Sequence, residues 1–268
     1  MRENIAINSC KVIALANQKG GVAKSFTTAS LAVGLANAGK KVLVIDNDPQ
    51  GHASRCLGVK KPEKSIYDIM KKLVKEAELE PADCMECIVS TEEGVDLLPA
   101  NVKYAMMELE MSSAMSREHL LNEFVVMQRP FYDFILIDCP PNLGLFVLNA
   151  LTAADSVLIP VKLEDLSIDG LQQLIQTIGM AKRRLNYNLE IEGILFTIVE
   201  ANTVLAKNSM EAIRDAYGEH VYIYDSIIPK SIKAAECPGS GMSIYRYDPK
   251  GKVAQAYEVL TREVLSNV

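Results

Sequence analysis

Short, nearly uninterrupted apolar runs alternate along this chain with longer stretches in which apolar residues return every three or four positions. The runs fall at residues 12–16, 41–45, 95–98, 134–137, 156–161, 191–199 and 221–227, and several are continuous Ile, Val and Leu. Strands buried on both faces read this way, as in a parallel sheet covered by helices on each side. The helical period marks residues 25–38, 65–78, 102–111, 116–127, 143–151, 168–185, 204–217 and 250–264. Gly39 stands just past the first of these, where a helix commonly ends in a left-handed residue. Strand followed by helix over the whole length predicts a doubly wound α/β fold, a mostly parallel sheet flanked by helices on both faces. No repeat, low-complexity tract or long linker interrupts the pattern, so a single domain over residues 1–268 is expected. The polar stretch 59–93 is expected to be peripheral.

Composition narrows the function classes. A chain of 268 residues can bury a substantial core, and 49% hydrophobic with 23% charged residues is ordinary for a globular protein. The net charge of −6 argues against a chain that coats nucleic acid with overall positive charge, while leaving room for a local basic patch. No apolar run approaches the ~20 residues of a membrane span. The start, MRENIAINSCK, lacks the apolar core of a signal peptide, so a cytoplasmic location is expected. The six cysteines are scattered, several within apolar runs, which reads as reduced thiols. Cys84-Met85-Glu86-Cys87 is a lone C-x-x-C without a second pair, and reads as a loop or helix end rather than a metal site.

The chemistry concentrates in NQKGGVAKS, residues 17–25, set between the first apolar run and the first helical stretch. A strand turning tightly into a helix N-terminus makes an anion site, because backbone N–H groups and the helix dipole both face the charge. Lys24 can reach the β- and γ-phosphates of a nucleoside triphosphate, and the Ser25 hydroxyl can ligate Mg²⁺. Two further strand ends carry acids, where ligands collect in such folds. The second strand ends in DNDPQG, residues 46–51, and a carboxylate there can orient a water on the γ-phosphate or help hold Mg²⁺. An Asx turn stopped by proline explains the same residues without function. The run FILID, residues 134–138, reads as a Walker B strand whose Asp138 would hold the Mg²⁺ shell. Cys139 reads as a small packed residue, since none of the three histidines lies near it in sequence.

Lys19-Gly20-Gly21-Val22-Ala23-Lys24-Ser25 departs from the ordinary phosphate loop and resembles the deviant Walker A box, K-G-G-x-G-K-[ST], of ParA/MinD-type ATPases. DNDPQG resembles the family's switch I, DCPPNLG (residues 138–144) its switch II, and IIPKSIK (residues 227–233) the segment that packs beside adenine. Residues 150–161, 193–197 and 247–250 also match, so the chain is identified as similar to ParA/Soj-type partition ATPases over most of its length. It begins almost directly at the phosphate-loop strand, so the helix-turn-helix domain of longer plasmid relatives is not expected.

The resemblance implies ATP and Mg²⁺ as cofactors. It implies nucleotide contacts from residues 19–25, from Phe26 and from Pro229, and metal contacts from Ser25, Asp48 and Asp138. Lys19 would reach across a homodimer to the partner's nucleotide, Lys24 would hold the phosphates, and Asp48 would activate the attacking water. The ATP-bound sandwich dimer would bind double-stranded DNA without sequence preference, and a ParB-like centromere-binding protein would stimulate slow hydrolysis and release it. Three positions depart from the family. Ala23 replaces a glycine, and alanine does not readily take positive φ; Phe26 replaces a threonine; Asn202 stands where many relatives carry a DNA-contacting arginine. Lys207, Lys230, Lys233, Lys250 and Lys252 are the cations left to face DNA. Three other readings compete. A MinD-like membrane-cycling ATPase would need a basic amphipathic C-terminal helix, whereas the tail, residues 252–268, reads as a helix docked on the core, so no stable membrane association is expected. An iron–sulfur reductase or scaffold ATPase of the same superfamily would need cysteines placed to meet across the dimer axis, and Cys84 and Cys87, the only pair, lie in the peripheral segment. A nucleotide-gated scaffold with little hydrolysis is the third.

Overall fold

The computed structural model describes residues 10–75, 78–163, 168–200 and 203–267. In chain order the elements are β1 (Lys11–Leu15), α1 (Lys24–Asn37), β2 (Val42–Asp46), α2 (His52–Cys56), α3 (Ile66–Val74), α4 (Pro81–Cys87), β3 (Val89–Ser90) and β4 (Asp96–Leu98). A 3-10 turn (Val102–Met106) leads into α5 (Met107–Ser112), followed by α6 (Leu120–Gln128), β5 (Phe134–Asp138), α7 (Leu145–Ala153), β6 (Ser156–Lys162) and α8 (Ile168–Arg184). The chain closes with β7 (Glu190–Val199), α9 (Val204–Tyr217), β8 (Ile223–Pro229), α10 (Ile232–Ser240), α11 (Ile244–Tyr247) and α12 (Lys252–Ser266).

Among the described residues the strands form one sheet in the order β3-β4-β2-β5-β1-β6-β7-β8, parallel except for the short β3 edge. The alternating sides of each strand divide the core in two. Val12 and Ala14 of β1, Leu43 and Ile45 of β2, and Ile135 and Ile137 of β5 bury one way, under α3, α6, α7 and α8. Ile13 and Leu15, Val42 and Val44, and Phe134 and Leu136 bury the other way, under α1 and α12. This double burial is why the strands read as continuous apolar runs. It confirms the doubly wound α/β expectation.

The chain leaves β1 towards β2 and β4, returns through β5, and crosses to β6 on the other side of β1. That reversal opens a crevice at the carboxyl ends of the central strands. Register sets Leu15, Asp138 and Asp46 level with one another at its floor.

Several elements differ from the sequence expectation. The helix expected over 65–78 runs only from Ile66 to Val74, with Ser65 and Asp68 forming a capping box; residues 76 and 77 lie outside the described residues. The helix expected over 102–111 divides into the 3-10 turn and α5, and α6 starts at Leu120 rather than at 116. The C-terminal helix docks as expected, burying Val253, Tyr257, Leu260 and Val264 beside β8 and α1. No helix among the described residues is long and apolar enough to cross a membrane.

Candidate functional site

The loop between β1 and α1 turns through two left-handed residues, Gly21 at φ 73° and Ala23 at φ 61°. Ala23 thus takes a left-handed conformation that glycine adopts freely and alanine only with steric strain. Its helix-capping position has a second consequence. A methyl side chain accepts no hydrogen bond, so the first turn of α1 has no side-chain cap and leaves its amides open to an anion. Ala23→Gly is expected to stabilise the fold by about 1 kcal/mol, the left-handed strain relieved less the added freedom of the unfolded chain. Urea unfolding of the two proteins measures it.

One side chain within the loop and one far from it in sequence hold it in place. Asn17 accepts from the Lys19 N–H through Oδ1 (2.9 Å) and donates through Nδ2 to the Pro160 carbonyl (2.7 Å). The buried Thr197 hydroxyl donates to the Val22 carbonyl at 3.0 Å. The sequence gives no sign of the Asn17–Pro160 and Thr197–Val22 contacts, because in each the partners lie far apart along the chain.

Lys24 opens α1 and is only 7% exposed. Its Nζ donates to the Lys19 carbonyl at 2.8 Å, curling the side chain back over the loop. Burial holds its pKa below the usual lysine value, against the pull of Asp138 and Asp48. A buried cation facing a carbonyl and open amides is a receptor for a bound anion. The Lys19 side chain forms no ion pair among the described residues.

Asp138 ends β5, completely buried. Its Oδ1 accepts from the Thr28 hydroxyl at 3.2 Å, and the nearby Ser25 hydroxyl favours the ionised form. Its Oδ2 is buried with no partner. Burial, aided by Asp46, pushes the Asp138 pKa well above the ordinary carboxylate range. An orphaned carboxylate oxygen beside a hydroxyl fits a hard divalent cation, whose charge would restore the ionised acid. Mg²⁺ completes its shell with water and phosphate oxygens, so an all-protein cage is not needed.

At the end of β2 the two aspartates divide the work. Asp46, passed over in the sequence, accepts from the Ser54 N–H (2.7 Å) and hydroxyl (2.6 Å) through Oδ2, which fastens α2 to the strand. Burial pushes its pKa up to about 6. Asp48 accepts from the Gln50 N–H through Oδ1 at 2.9 Å, so the Asx turn exists, and it lies within electrostatic reach of Lys24 and Asp138. Between them Asn47 is completely buried. Its N–H donates to the Asp138 carbonyl (3.0 Å), its Nδ2 to the Phe146 carbonyl (2.8 Å), and its Oδ1 accepts from the Tyr104 hydroxyl (2.7 Å). Tyr104 also stacks on Phe146, with ring centroids 4.4 Å apart. The end of β2 is therefore tied to the end of β5 and to the start of α7 behind the site. Tyr104→Phe would leave Asn47 Oδ1 buried and unpaired, and is expected to cost about 2 kcal/mol in denaturant unfolding.

Beside the loop opens a cavity of about 420 Å³, lined by Ala23, Phe26, Ile198, Pro229, Ala234 and Tyr257 among others. Phe26 meets Tyr257 edge-on at 5.8 Å. Ile198 sits at φ 54°, where the β7–β8 register shifts, so the strand end swings a β-branched side chain into the cavity wall at the cost of strain. An apolar cavity this close to an anion receptor suits a flat heterocycle.

The remaining residues singled out by sequence lie elsewhere. Lys207, Lys250 and Lys252 are exposed. Lys230 pairs with Glu200, and Lys233 with Asp248 at 2.8 Å, so both are engaged within the chain. Asn202 and residues 1–9 of the N-terminal stretch read for a signal peptide lie outside the described residues. Cys84 and Cys87 are buried on α4, and burial raises both thiols, Cys87 to about 11. Cys139 is buried too, and burial raises its thiol. Among the described residues no cluster of three His, Cys, Asp or Glu side chains could hold a metal by itself.

The model of an AAA domain matches residues 10–191. The chain is 40% identical over 260 residues to the sporulation initiation inhibitor protein Soj of Bacillus subtilis, covering 96% of this chain and 99% of that protein. It is 35% identical over 267 residues to the chromosome partitioning protein ParA of Caulobacter vibrioides, covering 98% and 96%. Among solved structures it resembles cobyrinic acid a,c-diamide synthase from Mycobacterium smegmatis with bound ATP analogue and magnesium. That likeness has a TM-score of 0.82 at 31% identity, covering 96% of this chain and 95% of the other.

Proposed function

The chain belongs to the Soj/ParA family of P-loop ATPases, and we propose that it is an ATP-driven partition switch for DNA. The observation that carries the reading is the buried Lys24 cation between an uncapped helix N-terminus and the orphaned Asp138 oxygen. That arrangement answers a triphosphate and its metal together. Lys24 and the first amides of α1 hold the phosphates, and residues 19–25 wrap them. Ser25 and Asp138, with Asp48 near, hold Mg²⁺, which neutralises charge on the phosphates when bound. Asp48 positions the attacking water. Phe26 and Pro229 flank the base. Lys19, without an ion pair among the described residues, reaches the nucleotide of a second copy and so makes hydrolysis a property of the dimer.

The ATP-bound dimer then binds double-stranded DNA without sequence preference, largely through phosphate electrostatics. A ParB-like centromere-binding protein stimulates hydrolysis and releases it. The buried apolar face of α12 speaks against a membrane-cycling role, because no apolar stripe of that helix is left for a bilayer. Phosphate release, measured alone, with DNA, and with DNA plus a centromere-binding partner, tests the reading. Slow turnover that rises severalfold with both supports it. A rate indifferent to both would leave a nucleotide-gated scaffold as the better account.

A further inference from the structure

Between Asp46 and Asp48 stands a completely buried amide, Asn47, bonded at both its side-chain nitrogen and its side-chain oxygen. A buried amide costs free energy unless its groups are paired, so these contacts are needed for the residue to sit there at all. Its backbone N–H donates to the Asp138 carbonyl at 3.0 Å, one step beyond the paired ends of β2 and β5. Its side-chain Nδ2 donates to the Phe146 carbonyl at 2.8 Å, in the first turn of α7. One residue therefore grips switch II, residues 138–144, at its first residue and just past its last, while the residue after it is Asp48. Tyr104, also completely buried, donates its hydroxyl to Asn47 Oδ1 at 2.7 Å, and its ring stacks on Phe146. That bond fixes which way the amide faces, with Nδ2 towards Phe146. Tyr104 arrives on the 3-10 turn after β4, which Asn101 caps by accepting the Lys103 N–H at 3.0 Å.

We propose that Asn47 is a positioning residue. With Tyr104 behind it, it sets the spacing between Asp48 and Asp138, and so the alignment of the attacking water on the phosphate. The proposal rests on the ATPase reading above and deepens it. Asp48 has local support: its Oδ1 accepts from the Gln50 N–H at 2.9 Å, and its N–H donates to Asp46 Oδ1 at a long 3.3 Å. Those bonds shape the turn without tying it to α7, and the Asn47 amide supplies that tie. A misplacement of about 1 Å at a reacting centre can cost about a hundredfold in rate, so the tie bears on turnover before it bears on binding. Stability alone does not call for a polar pair. A leucine against a phenylalanine could fill the same space at similar stability, but without direction. Direction is what the amide and the hydroxyl add.

The test compares Asn47→Leu, Tyr104→Phe and the double variant, each in the full chain. Leucine keeps the branched shape of asparagine and a backbone N–H for Asp138, and phenylalanine keeps the stack on Phe146. Each single variant strands a buried polar group of the pair, and is expected to melt about 4 °C or more below the wild type. The double variant removes both groups and is expected to melt near the wild type. Turnover separates positioning from stability. Single-turnover hydrolysis of labelled ATP by the double variant is expected to be about 10- to 100-fold slower than by the wild type. Its ATP affinity, by calorimetric titration, and its ATP-dependent dimerisation, by light scattering, should stay at wild-type values. A double variant that melts and turns over like the wild type would overturn the proposal, because the pair would then serve packing alone. So would a slow double variant that has lost ATP affinity or dimerisation. If the double variant folds poorly, Tyr104→Phe decides, since it loses only one oxygen: slowed turnover at wild-type ATP affinity supports the proposal, and a wild-type rate overturns it. A wild-type chain that hydrolyses no ATP would overturn the ATPase reading, and this role with it.

Discussion

Lys24→Ala is expected to abolish nucleotide binding at any practical concentration. The lysine is 7% exposed and its ammonium lies over the loop, where the phosphates would sit. Removing one partner of a buried, charge-assisted contact costs about 2–5 kcal/mol, which is roughly 30- to 5,000-fold in affinity. The fold should tolerate the change. Alanine is a good helix former, and the variant no longer buries an ammonium whose pKa burial already depresses. Calorimetric titration with ATP, beside a melting curve of the same sample, separates the two effects. ATP affinity retained in a folded variant would refute the phosphate-loop assignment.

Asp48→Ala is expected to keep ATP binding and ATP-dependent dimerisation while lowering turnover by about a hundredfold or more, the range for losing a group that positions or deprotonates a nucleophile. The carboxylate also accepts the Gln50 N–H, so alanine removes a turn contact as well as a charge. Asp48→Asn separates the two, because asparagine keeps the Asx turn and loses only the negative charge. Both variants should be equally slow if charge is what matters. Undiminished turnover in either would remove Asp48 from the chemistry.

The legible part of this fold was the part written in local pattern. β1, β2, β5 and β6 are buried on both faces, so their apolar runs declare themselves without knowledge of neighbours. The phosphate loop declares itself by spacing, and Asp138 by the run that it ends. What escaped depends on partners distant in sequence. α2 exists because Asp46 bonds Ser54 across the turn, and α10 forms around an internal Pro238. Neither follows from propensity. Asn17, Thr197 and Tyr104 are polar residues whose use appears only once Pro160, Val22 and Asn47 have been brought to them. Ile198 takes a backbone conformation that sequence reasoning assigns to glycine or asparagine. Ala23 is the instructive case. The substitution was visible, but only the structure shows that the alanine adopts the glycine-like turn.

The same contrast applies to the segment 59–93, which its polarity marked as peripheral. It supplies only the short edge strand β3 to the sheet, yet it starts close after Asp48, where Lys60 and Lys61 line a cavity together with Gln50 and Gly51. Surface charge is easy to count along a chain. Whether each charge is already paired is a property of the fold, as Lys230 and Lys233 show from the opposite side.

Co-sedimentation of the wild-type chain with duplex DNA, in ATP, in ADP and without nucleotide, is the most direct test of the partition switch. The account predicts pelleting with ATP alone, falling steeply as salt rises through the physiological range. Binding that ignores the nucleotide, or no binding with ATP at low salt, would contradict it.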